Sequence, residues 1–227
     1  NNKVPILLTI HDLSFLHSKN FYSLKRKIWH KLVNVGKLVA KADKIISVSE
    51  NTKRDIIKFF LTNGNKIKVI YPGVENFYFN SKKNNNNLKK YKNFKPILLT
   101  IARLEKRKNH KKIIYAVHDL IKEFQNLLYL IVGDGPEMKK ISKLIDKLNL
   151  KKNVKILGKV NERDKTFLFK ISDLHVMPTI LDKRSLSIEG FGISYIEAGL
   201  YGIPSISSGL GGTKESVING KTGIICN

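Results

Sequence analysis

The sequence is poor in several things, and each shortage excludes something. One cysteine occurs in 227 residues, Cys226, so the chain can form no internal disulfide and no cysteine metal site. A reducing, cytosolic setting is therefore expected. No apolar run reaches the roughly 20 residues that a membrane span requires. No Asp-x-Asp is present, so the usual carboxylate pair for nucleotide-bound Mg²⁺ or Mn²⁺ is missing and no metal site is expected. There is no Gly-x-Ser-x-Gly elbow and no Walker loop. Acidic residues are few, 18 against 42 basic ones, which leaves a net charge of +24. Arginine is also scarce: only Arg26, Arg54, Arg103, Arg107, Arg163 and Arg184. A charge of this size suggests nucleic acid or an anionic surface. Phosphate-reading surfaces, however, favour arginine forks, and here the excess is lysine. It comes with abundant Asn and Ile, which share A/T-rich codons with Lys. Compositional bias explains the charge better than nucleic-acid binding does, and no nucleic-acid partner is expected.

What is present is a regular alternation. With an ordinary 42% of hydrophobic residues, the chain can bury one large core or two smaller ones. Short apolar stretches at 5–10, 44–48 and 66–70 read as strands, with a helix expected over 22–41 and Ser49 as the cap of another. Residues 77–95, rich in Asn and Lys, read as a linker. Strands then follow at 96–101, 127–132, 154–158, 174–177 and 204–207. Helices fall at 109–124, 136–149, 161–171, 193–201 and 213–218. Such alternation predicts parallel sheets with crossover helices, hence two α/β domains divided after residue 92. The chain opens at Asn1 inside a strand-like sequence, and its first domain has only three strands. We therefore expect a fragment that lacks its opening strands and also the closing helix after Ile225. Residues 1–94 carry 19 basic and 5 acidic groups, net +14, and residues 95–227 carry 23 and 13, net +10.

Open parallel sheets bind ligands at the carboxyl ends of their strands, so the residues just after each strand matter most. Arg103 and Lys108 follow the strand at 96–101 and precede a helix. Two cations beside free helix N–H groups suit a diphosphate. Alone, such a turn would equally be a solvated basic loop. Gly133-Asp134-Gly135 begins like a dinucleotide fingerprint but has Met138 at the third glycine position, so it reads as a tight turn and a cleft wall. Glu189 and Glu197 stand eight residues apart around Gly190, Phe191, Gly192 and Ile193. Glycines let backbone N–H groups approach a ligand, and a helix starting at Ile193 would add its own amides. His11 ends the first strand, where a histidine is as readily functional as structural. The other histidines, His17, His30, His110, His118 and His175, have no metal-ligand spacing and receive no chemistry.

These motifs together resemble the retaining glycosyltransferases of family 4, also called group 1. The resemblance runs through Thr9-Ile10-His11-Asp12, 42–50, Val69-Ile70-Tyr71-Pro72-Gly73-Val74, Arg103 with Lys108, and Val132-Gly133-Asp134-Gly135-Pro136. It continues through Glu189 to Glu197, Gly202-Ile203-Pro204 and Gly211-Gly212-Thr213-Lys214-Glu215. It implies a GT-B fold of two Rossmann-like domains: 1–92 as the later part of the acceptor-side domain, and 93–227 as the donor-binding one. It implies a retaining, metal-independent transfer of a hexose from a nucleotide diphosphate sugar to a glycan or lipid-linked acceptor, in polysaccharide or lipopolysaccharide biosynthesis. No cofactor is implied. The residues 11–15 look most like members that build bacterial surface polysaccharides, often mannosyltransferases. Arg103 and Lys108 would hold the diphosphate, Glu189 and His11 would act at the transferred sugar, residues 190–194 would offer amides, and Glu197 would bind the ribose. Asn109 departs from a frequent glycine, and Glu75 from a frequent Asp. Front-side attack and double displacement both remain open. The alternatives are a GT-B nucleotide-sugar epimerase and a basic nucleic-acid module. The 22–41 helix, with Phe21, Tyr22 and Trp29 near many lysines, suggests peripheral contact with an anionic membrane.

Overall fold

A computed structural model describes residues 4–13, 16, 33–75, 86–182 and 188–226. The chain forms two compact units. The first comprises Asn1–Gly73, Leu181–Gly192 and Leu210–Ser216; the second comprises Val74–Ile180, Ile193–Gly209 and Val217–Asn227. The division therefore differs from a single cut after residue 92, since two later segments group with the first unit.

The first unit holds a three-stranded parallel sheet in the order β1 (Leu7–Ile10), β2 (Lys44–Ser47), β3 (Ile67–Val69). Helix α1 (Val35–Lys41) leads into β2, and α2 (Glu50–Phe60) leads towards β3. The Ser49 side chain accepts from Thr52 N at 3.0 Å and caps α2, as the sequence suggested. Ile10, Leu13, Val39, Ala42, Ile45, Ile56 and Ile67 form its core. The helix expected over 22–41 lies mostly outside the described residues, Phe21, Tyr22 and Trp29 included. Its end at Lys41 is as expected, but it is interrupted: α1 starts afresh at Val35, because Asn34 adopts φ 42 and its side chain accepts from Lys37 N. A left-handed residue cannot continue a right-handed helix.

The second unit carries six strands: β4 (Ile97–Ile101), β5 (Leu128–Val132), β6 (Val154–Gly158), β7 (Leu174–Val176), β8 (Ser205–Ser207) and β9 (Gly223–Ile225). All pair in parallel, in the order β6-β5-β4-β7-β8-β9. Read as six successive strands, this is the doubly wound order 3-2-1-4-5-6. β4 and β5 run apolar without alternation, as strands covered on both faces must. Ile97, Leu99, Leu128, Leu130 and Val132 point into one core, with residues of α6 (Glu162–Ile171) and Ala198 of α7 (Ile193–Leu200). Leu98, Tyr129 and Ile131 point into the other, with residues of α4 (His110–Leu120) and α5 (Met138–Lys147).

Two readings change here. The supposed linker is not all loop: residues 86–93 form a short helix, α3 (Asn86–Lys89), and a 3₁₀ turn, with Leu88 and Tyr91 buried in the core. Two apolar side chains are enough to anchor a polar-looking segment. β9 is a sixth strand that the sequence reading did not include.

Candidate functional site

The doubly wound order reverses between β4 and β7, and such a switch point opens a crevice at the strands' carboxyl ends. Hydrogen bonds tie the loops there to one another. Ile180 N donates to Arg107 O at 2.8 Å, and Asn109 Nδ2 donates to Pro178 O at 3.1 Å. Thr179 and Ser208 hydroxyls meet at 3.1 Å, joining the loops after β7 and β8. Leu104 N donates to Asp134 O at 2.9 Å and Glu137 N to Leu104 O at 3.0 Å, so the Gly133–Gly135 turn braces the loop that bears Arg103. Gly133 is required there: at φ 134, a Cβ would sit 2.0 Å from Ala102 O.

Arg103 and Lys108 both stand on the β4–α4 loop, in contrasting settings. The Arg103 side chain is 62% exposed and pairs with Glu105 at 3.3 Å, and the same carboxylate takes Arg107 Nε at 3.1 Å. Lys108 is only 6% exposed. Its Nζ donates to Met177 Sδ at 3.4 Å, and Ser194 Oγ in the first turn of α7 donates to the same sulfur at 3.8 Å. The loop cation and the helix N-terminus thus meet at Met177, directly after β7. Asn109 explains its departure from glycine: it adopts φ 58, a conformation that Asn tolerates better than other side-chain-bearing residues.

Beneath Lys108 lies a polar layer that sequence reasoning missed. Thr100 Oγ1 donates to Val176 O, and so accepts from Tyr129 OH at 2.8 Å; Tyr129 in turn accepts from His110 Nδ1 at 3.1 Å. His175 Nδ1 meets Ser205 Oγ at 3.3 Å, and its ring packs edge-on against Tyr195, which donates to Met177 O. Nε2 of both histidines has no hydrogen-bond partner among the described residues. Burial first, and the Lys108 charge second, lower His110 to about 4 and His175 to about 3. Both rings are neutral at pH 7, so neither adds a charge beside Lys108. Burial likewise raises the Tyr129 phenol. The only hint in the sequence was position: Thr100, Tyr129 and His175 are polar residues inside strands that otherwise read as core.

Glu197 lies on α7, with its Oε1 accepting from Lys165 Nζ at 2.7 Å. Ile193 starts the same helix and is exposed. His11, Glu189, Gly190, Phe191 and Gly192 belong to the first unit. There the structure brings His11 and Gly190 together, since a Cβ on Gly190 would lie 2.9 Å from His11 O. Glu189 O accepts from Gly212 N at 2.9 Å, and Phe191 stacks on Tyr71 with centroids 5.4 Å apart. Asp12, Asn51, Asp55 and Glu189 line one small cleft. Among the described residues, no three His, Cys, Asp or Glu side chains cluster as a metal site would need.

Residues 80–227 match the family described as Glycosyl transferases group 1, and residues 1–76 match Glycosyltransferase Family 4. The chain belongs to the group 1 glycosyltransferases. It is similar to the N-acetyl-alpha-D-glucosaminyl L-malate synthase of Bacillus anthracis, 29% identical over 230 residues, covering 99% of this chain and 55% of that protein. It is also similar to the GDP-mannose-dependent alpha-(1-6)-phosphatidylinositol monomannoside mannosyltransferase of Mycolicibacterium smegmatis. That match is 28% identical over 131 residues and covers 58% of this chain and 34% of the relative. Among solved structures, Anabaena Alr3699/HepE in complex with UDP and glucose superposes with a TM-score of 0.73 at 22% identity, covering 98% of this chain and 58% of that one. The fold class is thus the α/β GT-B class with parallel sheets, as expected. This family member spans about a third to just over half the length of the curated relatives it matches.

Proposed function

We propose that this chain serves a retaining, metal-independent glycosyltransferase that moves a hexose from a nucleotide diphosphate sugar to a glycan or lipid-linked acceptor, in polysaccharide or lipopolysaccharide synthesis. Mannose is the narrower proposal for the sugar, supported by the mannosyltransferase relative. One observation supports the reading: the Lys108 ammonium and Ser194 in the first turn of α7 meet at Met177 at the switch point of the second sheet, with Arg103 on the same loop as Lys108. Cations and helix amides fixed there suit a diphosphate.

In this reading, the bond from the sugar's anomeric carbon to the β-phosphate oxygen breaks, and its electron pair goes to the phosphate. Arg103 and Lys108 stabilise the charge that appears. The acceptor hydroxyl forms the new bond to the anomeric carbon on the same face, and its proton passes to the departing phosphate oxygen. Retention follows from that shared face. Glu189 and His11 hold the transferred sugar, the backbone of Gly190, Phe191, Gly192 and Ile193 supplies N–H donors, and Glu197 takes the ribose hydroxyls. Contact with anionic lipid is proposed for the basic part before residue 95, with liposome flotation as its check.

The test is calorimetric titration of the chain with UDP and GDP, with EDTA present. Wild-type binding that weakens by about 100-fold in Lys108→Ala and about tenfold in Arg103→Ala supports the reading. Unchanged binding in both variants overturns it. An epimerase would convert a nucleotide sugar without an acceptor, which product analysis separates.

A further inference from the structure

Lys165 sits on α6, one turn after Glu162, and reaches across to α7. Its Nζ lies 2.6 Å from Glu162 Oε2 and 2.7 Å from Glu197 Oε1, and the Lys165 and Glu197 side chains are 20% and 21% exposed. Burial alone would depress the lysine's pKa, but hydrogen bonds and charge from the two carboxylates outweigh it and hold the group above its ordinary value. It stays cationic throughout the neutral range. Glu197 makes no other hydrogen bond among the described residues, so its Oε2 and one lone pair of Oε1 remain available.

Partly exposed ion pairs contribute little to stability, so this clasp needs another reason. A glutamate on a helix has three side-chain torsions and several rotamers. A short contact to one carboxylate oxygen from a lysine that a second glutamate holds in place fixes the plane of the group. It also offsets a negative charge that would otherwise face an anionic ligand.

We propose that Lys165 is a positioning residue: it orients the Glu197 carboxylate to receive the two hydroxyls of a nucleotide's ribose. This rests on the reading above, in which Glu197 contacts the ribose. Lys165 acts through Glu197 and touches no reacting atom. The vicinal diol places one hydroxyl on Oε2 and the other on the free lone pair of Oε1, while Lys165 keeps its own hydrogen bond.

The experiment compares two probes on the full chain: whichever of UDP or GDP binds more tightly, and its 2′,3′-dideoxy counterpart. The ratio of the two affinities isolates the diol. Loss of a positive charge weakens both probes alike and cancels. The wild type is expected to prefer the ribo form by about tenfold. Lys165→Met and Lys165→Gln should lower that preference to about twofold, and Lys165→Arg should restore most of it. A thermal melt identifies any variant that fails to fold, and the variant that folds decides the result. A preference that stays near tenfold in a folded Lys165→Met or Lys165→Gln protein overturns this proposal and leaves the functional reading intact. A wild type that binds neither diphosphate, or binds without preferring the ribo form, overturns the ribose role of Glu197 and this proposal with it.

Discussion

The two units solve the same problem with different means. In the second, β4 and β5 lie between two cores, and alternate side chains serve opposite faces. In the first, β1 buries Ile10 in the core and packs Leu8 against it, while Leu7 is 64% exposed. All three strands read as similar apolar runs in the sequence. Among the described residues, the difference lies in how many elements cover them. Apolar character therefore predicts a strand, and the layers around it decide its energetic weight.

The sharpest way to break this comparison is a matched pair of substitutions. Leu130 is 0% exposed, and Leu130→Ala should cost about 3–4 kcal/mol by losing transfer energy and leaving a cavity. Leu7→Ala should cost no more than about 0.5 kcal/mol. Urea unfolding followed by circular dichroism measures both. Equal losses would mean that β1 is as well covered as β5.

Acid supplies the next contrast. His110 and His175 are buried in the second unit with pKa values held at about 4 and about 3. An unfolded histidine titrates near 6.5. As pH falls below that value the unfolded chain takes up protons that the folded one refuses, so stability is full above about pH 6.5 and declines towards pH 4. Each histidine contributes a slope approaching about 1.4 kcal/mol per pH unit. Thermal melts between pH 7 and 4 should show the second unit loosening first. His175→Leu should flatten the slope, even if it lowers stability at pH 7. A slope unchanged by that substitution would show that another group carries the acid sensitivity.

The sequence made the alternation, the second domain's helices and the position of Arg103 and Lys108 legible. The cues are local: apolar runs, caps and strand ends. It did not disclose that Lys108 is buried while Arg103 stays exposed, because both are simply cations on one turn. Nor did it disclose the layer of His110, Tyr129, Thr100 and His175, whose members come from one helix and three strands far apart in the chain. Lys165 looked like one of many surface lysines. Its meaning depends on Glu197, 32 residues later, and no spacing rule links two helices across a strand. The linker reading fails over 86–93 for a related reason. Leu88 and Tyr91 are too few to show periodicity, and only the waiting core makes them structural.

The smallest effect concerns the start of α2 in the first unit. Glu215 accepts from Glu50 N at 2.6 Å and Asn51 N at 3.0 Å, so a residue 165 positions away satisfies the opening N–H groups of α2. A carboxylate there also meets the positive end of the helix. Tyr71 registers the same charge: burial raises its phenol pKa first, and the charge and hydrogen bond of Glu215 raise it further. Glu215→Ala should therefore destabilise the first unit by about 1–2 kcal/mol, the cost of removing a helix cap, and leave the second unit's transition unchanged. Glu215→Gln keeps an oxygen acceptor but loses the charge, and should cost about half as much. The Tyr71 phenol should then titrate lower, as a difference from Tyr71→Phe in an ultraviolet titration. A Glu215→Ala protein that unfolds like the wild type would show that α2 is held by its buried face alone.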